Sequence, residues 1–103
     1  MGLRHAVILE FMGLSDPPES LRAFVRDGRI TAYPKKPERR RLLLEQVAGE
    51  FEPGRYYPES EVNLVLKAIA DDHAALRRYL VESELLSRTP DGVYWRTGGP
   101  VLV

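Results

Sequence analysis

The sequence predicts an α+β class, mainly α with a small β-hairpin or sheet, folded as one winged helix-turn-helix-like domain. Three observations predict it. Apolar residues recur at helical spacing in four successive segments, the last two of those segments meet across a very short turn, and the chain then enters two β-prone stretches around an Asp-Gly turn. A chain of 103 residues makes one domain with a single compact core. A hydrophobic share of 44% and a charged share of 29% are those of an ordinary globular protein and exclude disorder of the whole chain.

Residues 1–19 read as an N-terminal extension or short packed element, residues 20–97 as the domain and residues 98–103 as a tail. A second Met-Gly-Leu begins at Met12, so residues 1–11 are read either as an upstream extension or as a short element packed on the domain. Glu10 interrupts the early apolar run, which does not fit a secretory signal. No segment reaches the roughly 18–20 apolar residues of a membrane helix. The chain has no cysteine, so disulfides and thiolate metal ligands are excluded, and a reducing cytoplasm is the expected location.

Ser15-Asp16-Pro17-Pro18-Glu19 reads as a helix entry, with Ser15 or Asp16 as cap. Leu21, Phe24 and Val25 follow as one apolar stripe, and Asp27-Gly28 reads as the helix stop. Arg29-Ile30-Thr31-Ala32-Tyr33 alternates as a short strand does, and its segment 30–33 is expected to pair with the C-terminal hairpin. Pro34 and Pro37 keep Lys35-Lys36 extended. The next helix spans 38–51, with Leu43, Val47 and Phe51 on one line, and Glu52-Pro53-Gly54 stops it. Tyr56-Tyr57-Pro58-Glu59-Ser60-Glu61 reads as the opening of a third helix, whose first-turn acids suit its dipole. Val62, Val65, Leu66 and Ile69 line its inner side. Asp71 or Asp72 caps a fourth helix over 72–86, with Leu76, Tyr79, Leu80 and Leu85 inward. The hairpin runs through Leu86–Thr89, turns at Pro90-Asp91-Gly92 and returns through Val93–Arg96.

Charge is distributed unevenly even though the formal net charge is zero. Residues 21–41 hold eight Lys/Arg against two acids, whereas 45–72 hold seven acids against Arg55 and Lys67. Such asymmetry predicts a basic patch on one face. Its densest part is Lys35, Lys36, Arg39, Arg40 and Arg41, where cations at a helix start oppose the dipole and suit phosphate contacts instead. In a helix-turn-helix the fourth helix enters the major groove, which nominates His73, Arg77 and Arg78. Arginine there pairs with guanine or grips phosphate. Alternatives are a solvated face, with Arg78 and Glu82 as an i, i+4 pair, or an arginine pinned to Asp71 or Glu61. Arg88 and Arg96 are the hairpin's candidate backbone contacts, while Tyr94 and Trp95 suit core or interface.

His5 and His73 do not make a metal site, because the neighbouring Asp71 and Asp72 point in other directions from one helix start. No serine sits in a nucleophile motif and no glycine-rich phosphate loop exists, so neither an enzyme nor a cofactor is expected.

The blocks Arg-Asp-Gly-Arg-Ile at 26–30, Pro-Lys-Lys at 34–36 and Tyr57-Pro58-Glu59-Ser60-Glu61-Val62-Asn63 resemble a recurring pattern. So do residues 72–82 with their Leu-Arg-Arg, then Leu85-Leu86-Ser87-Arg88 and Tyr94-Trp95. Together, over about residues 20–97, they resemble the bacterial domain of unknown function 2087. That resemblance implies an association with transcriptional regulators of the arsenic-repressor class and supplies no catalytic residue. Two positions depart from it: Pro58 stands where Ser or Thr is usual, and Glu84 where Gly is usual. The resemblance therefore implies a differently capped third helix and a longer or strained exit from the fourth. The expectation is a nucleic-acid-binding regulator or regulator-associated domain, with helix 72–86 reading DNA and 35–41 on phosphates. The alternative is a protein-interaction or homodimerisation module of the same fold without DNA binding.

Overall fold

Leu21, Leu43, Val47, Val62, Leu66, Ile69, Leu76, Leu80 and Leu85 all reach zero solvent exposure, so the apolar stripes of four segments converge in one core. Side chains of this kind each contribute roughly 1.5–3 kcal/mol on full burial. The computed structural model describes residues 13–98 and has α+β architecture. A 3-10 helix, Glu19–Phe24, leads into strands β1 (Val25–Arg26) and β2 (Arg29–Ile30). Helix α1 (Pro37–Ala48), strand β3 (Tyr56–Pro58), helices α2 (Glu59–Lys67) and α3 (His73–Glu82), and strands β4 (Leu86–Arg88) and β5 (Val93–Arg96) follow. Strands β3, β5 and β4 form a three-stranded antiparallel sheet in that order. Of the expected N-terminal element, residues 1–12 lie outside the described residues, as do 99–103 of the tail.

Several sequence expectations are corrected. The helix expected over the Leu21, Phe24 and Val25 stripe is a 3-10 helix, Glu19–Phe24, entered from Pro18 without a side-chain cap, and Ser15 Oγ instead donates to Glu50 Oε2 at 2.9 Å. Asp27-Gly28 does not stop that helix. It turns a hairpin, with φ of 53° and 79° at its two residues, and Asp-Gly is a preferred pair for such a turn. Accordingly Ile30 pairs with Val25 rather than with the C-terminal hairpin. The third strand of the larger sheet is Tyr56–Pro58, read from sequence as a helix start. Aromatic side chains favour a pleated surface, and Pro58 serves on an edge strand where its missing N–H costs nothing. Tyr57 lies on the inner side, edge-to-face with Phe51 at 5.1 Å, and its hydroxyl accepts the Glu52 N–H at 2.7 Å. Tyr56 and Trp95 sit opposite each other on the outer side, with ring centres 5.7 Å apart.

The corner between α2 and α3 is held from two sides. Inside it, Leu66, Ile69 and Leu76 exclude water. Outside, the Arg29 guanidinium donates to the Lys67 carbonyl at 2.9 Å and meets Asp71 at 2.6 Å, while Ile30 N–H donates to the Ile69 carbonyl at 2.7 Å. The β1–β2 hairpin is thereby docked on the corner. Asp72 caps α3 by accepting from Ala75 N at 3.0 Å, as its residue type predicts. No side chain caps α2. Its first N–H, on Glu59, donates to the Gly92 carbonyl at 3.0 Å, so the β4–β5 turn satisfies one of the free donors at this helix start.

The exit of α3 closes with Leu85 N–H donating to the Leu80 carbonyl at 2.9 Å, which leaves Glu84 left-handed at φ 63°. Leu85, expected on the helix, is buried just past its end. Glycine suits such a position because it lacks the Cβ that clashes there. Glu84→Gly is expected to raise stability by about 0.5–1 kcal/mol, the relief of strain outweighing the greater freedom of the unfolded chain. Urea or thermal unfolding reads this directly, and a loss of stability would mean that the glutamate side chain offsets its own backbone strain.

Candidate nucleic-acid interface

Lys35, Lys36 and Arg39 lie exposed where the chain enters α1, and among the described residues they form no ion pair. Arg40 and Arg41, next along the helix, are committed to packing. The Arg40 guanidinium carbon lies 4.6 Å from the centre of the Tyr79 ring and 5.3 Å from that of Tyr33. Those two rings meet edge-to-face at 5.5 Å. Burial pushes the Tyr33 hydroxyl above the usual tyrosine pKa, with Tyr79 adding to the rise and Arg40 opposing it. Arg41 donates to Glu45 at 3.2 Å and to the Ser83 carbonyl at 2.9 Å, which ties α1 to the C-terminal end of α3, where a cation suits the dipole.

Arg77 and Arg78 leave α3 in different directions. Arg78 is exposed, has only a 3.8 Å pairing with Glu82, and lies 5.5 Å from the Tyr79 ring on the flank that meets α1. Arg77 is half-buried on the other flank and donates to the Asn63 side-chain oxygen on α2. Neither arginine pins Asp71 or Glu61, since those carboxylates meet Arg29 and, at 3.1 Å, Arg55. His73 opens α3 half-buried.

The hairpin arginines also differ. Arg88 is exposed beside the β4–β5 turn, 5.5 Å from the Tyr94 ring, and lines a hollow shared with the carboxylates of Glu59 and Asp91. Thr89 donates to Asp91 and holds that carboxyl below its usual pKa. Tyr94 is core, as its residue type predicts, and its hydroxyl donates to Glu59 at 2.8 Å. Its pKa is raised by burial first and by that carboxylate second. Arg96 is only 9% exposed and donates to the Phe51 carbonyl at 3.1 Å and the Gly98 carbonyl at 2.9 Å. Its place on the hairpin suggests a nucleic-acid backbone contact, but strand alternation turns it inward on the same face as Tyr94, where it satisfies the carbonyls of Phe51 and Gly98. Asn63 and Tyr79 carry parts of this surface that the charge map missed. Neither has a charge, and only the packing of helices reveals which cation each one holds.

No helix among the described residues is long and apolar enough to cross a membrane, and no group of three His, Cys, Asp or Glu among them could hold a metal ion. The fold and this surface define a small α+β domain that presents guanidinium and ammonium groups along one helix and the start of another. The chain belongs to the DUF2087 family: a family model described as an uncharacterized protein conserved in bacteria matches residues 29–96. No curated protein and no solved structure matched it.

The two hairpin arginines are expected to separate cleanly under substitution. Arg96→Ala removes the donor from buried carbonyls and should cost about 2 kcal/mol or more. Arg88→Ala should stay within about 0.5 kcal/mol, as exposed sites do. Chemical unfolding of the two variants checks the pair, and equal stabilities would return Arg96 to the surface set.

Proposed function

We propose that this domain is a nucleic-acid-binding module of a bacterial regulator, of winged helix-turn-helix type, acting in the cytoplasm by binding and not by catalysis. The order α1, β3, α2, α3, β4, β5, with β5 between its two partner strands, supports that type. In this reading α3 enters the major groove and the β4–β5 turn lies beside it as the wing.

One observation carries the reading. The Tyr79 ring lies within cation–π range of Arg40 from α1 and Arg78 from its own helix, so it joins two clusters that are far apart in sequence into one positive surface. Lys35 and Lys36, just before α1, and Arg39 in its first turn add exposed cations, and in this reading Arg88 flanks α3 from the wing. With zero net charge the domain exerts little long-range pull on a polyanion. Affinity must come from this local patch, which acts within about 8–10 Å at physiological salt.

Fluorescence anisotropy of a labelled duplex of about 30 base pairs tests this, since each phosphate contact contributes about 0.9 to the salt slope. Micromolar or tighter binding is expected at low salt. The triple variant Lys35→Ala, Lys36→Ala, Arg39→Ala should flatten the slope by about two to three. A folded wild-type protein that binds no duplex at about 50 mM salt would end the proposal.

A second reading, a protein-interaction or homodimerisation module, is favoured by Leu64, which is 63% exposed on α2, and by Tyr56, which is 69% exposed beside Trp95. Light scattering separates the two. A defined oligomer that Leu64→Glu or Tyr56→Glu dissociates, together with absence of DNA binding, is the outcome of this alternative.

A further inference from the structure

We propose that Asn63 is the positioning residue for Arg77, and that it makes Arg77 the base-reading arginine of α3 while Arg78 grips phosphate. This rests on the nucleic-acid reading above and divides its labour between two adjacent residues of the same type.

The two arginines differ in how they are held. Arg78 has a long 3.8 Å contact with a glutamate on its own helix, and its side chain and that of Glu82 are 61% and 65% exposed. Arg77 is half-buried in the angle between α2 and α3, and it donates to a side chain on the facing helix. Asn63 itself is half-buried on α2, between turns anchored by the core residues Val62 and Leu66. Its oxygen therefore offers a fixed acceptor, because the backbone carrying it is packed.

A guanidinium has five N–H donors in a planar fork, so one bond to Asn63 orients the plane and leaves the remaining donors for a ligand. Bidentate pairing with guanine needs such an oriented plane, whereas contact with a phosphate tolerates many orientations. The acceptor is also neutral. A carboxylate in its place would hold Arg77 equally well but cancel its charge; Asp71 and Glu61 meet Arg29 and Arg55 instead, and the Glu59 carboxylate accepts from the Tyr94 hydroxyl at 2.8 Å. A cation held without being neutralised is suited to reading an electronegative base edge.

The test begins by enriching a preferred site for the wild-type protein from a duplex pool with a randomised core. Anisotropy then compares the enriched duplex with a scrambled duplex of equal length. Asn63→Ala should weaken the enriched duplex about tenfold and the scrambled duplex less than twofold, with an unchanged salt slope. Arg77→Ala should do the same, and the double variant should bind no more weakly than Arg77→Ala alone. Asn63→Ser, polar but too short to reach Arg77, should match Asn63→Ala, and the retained affinity of both for the scrambled duplex excludes a folding artefact. Arg78→Ala should weaken both duplexes alike and reduce the slope by about one. Equal losses on both duplexes for Asn63→Ala, or losses that simply add to those of Arg77→Ala, would overturn the positioning role. Salt-dependent binding without an enriched site would overturn it while leaving the nucleic-acid reading intact, and binding to no duplex would remove both.

Discussion

The packed corner between α2 and α3 sets the directions of Arg77 and Arg78, on which the functional reading depends. Leu66, Ile69 and Leu76 lie wholly out of water there, and a one-residue change in the register of α3 would rotate its side chains by about 100°. Arg77 faces Asn63 and Arg78 faces the α1 flank only because Leu76 and Leu80 are fixed inward. Arg29 and the β2 backbone brace the same corner from outside. The directions in which α3 presents its arginines are thus a consequence of core packing.

Much of the fold was legible because it follows periodicity and capping. The stripes on α1, α2 and α3, the Asp72 cap and the β4–β5 hairpin all follow from residue spacing and type. What escaped depends on long-range pairing. Tyr56-Tyr57-Pro58 precedes a helix and contains Pro, so local pattern assigned it to that helix, whereas its strand character exists only through β5. Asp27-Gly28 suits a helix stop and a two-residue hairpin turn equally, and docking of Ile30 on Ile69 favours the turn. The departures at positions 58 and 84 were informative in advance. At the first, α2 starts without a side-chain cap, and at the second a glutamate is left-handed.

Charge in the sequence is a poor guide to charge available at the surface. Of the cations nominated from composition and spacing, Lys35, Lys36, Arg39, Arg78 and Arg88 remain open to solvent with weak or no ion pairing among the described residues. Arg40 and Arg41 stack and cap, Arg77 is steered by an amide, and Arg96 is spent on loop carbonyls inside the sheet. The difference arises because a guanidinium is also a five-donor hydrogen-bonding group and a flat apolar plate. Folding uses those properties before any partner arrives.

Tyr79 has a consequence of another kind. Its ring lies within cation–π range of two guanidinium groups from different helices, so it is a contact that both share. Replacing it with a smaller aliphatic residue would leave the isoelectric point untouched while letting Arg40 and Arg78 drift or collapse toward the gap. Related chains that share every arginine and lysine can therefore differ in what they grip through one uncharged position, a divergence invisible to any comparison that tallies only basic residues.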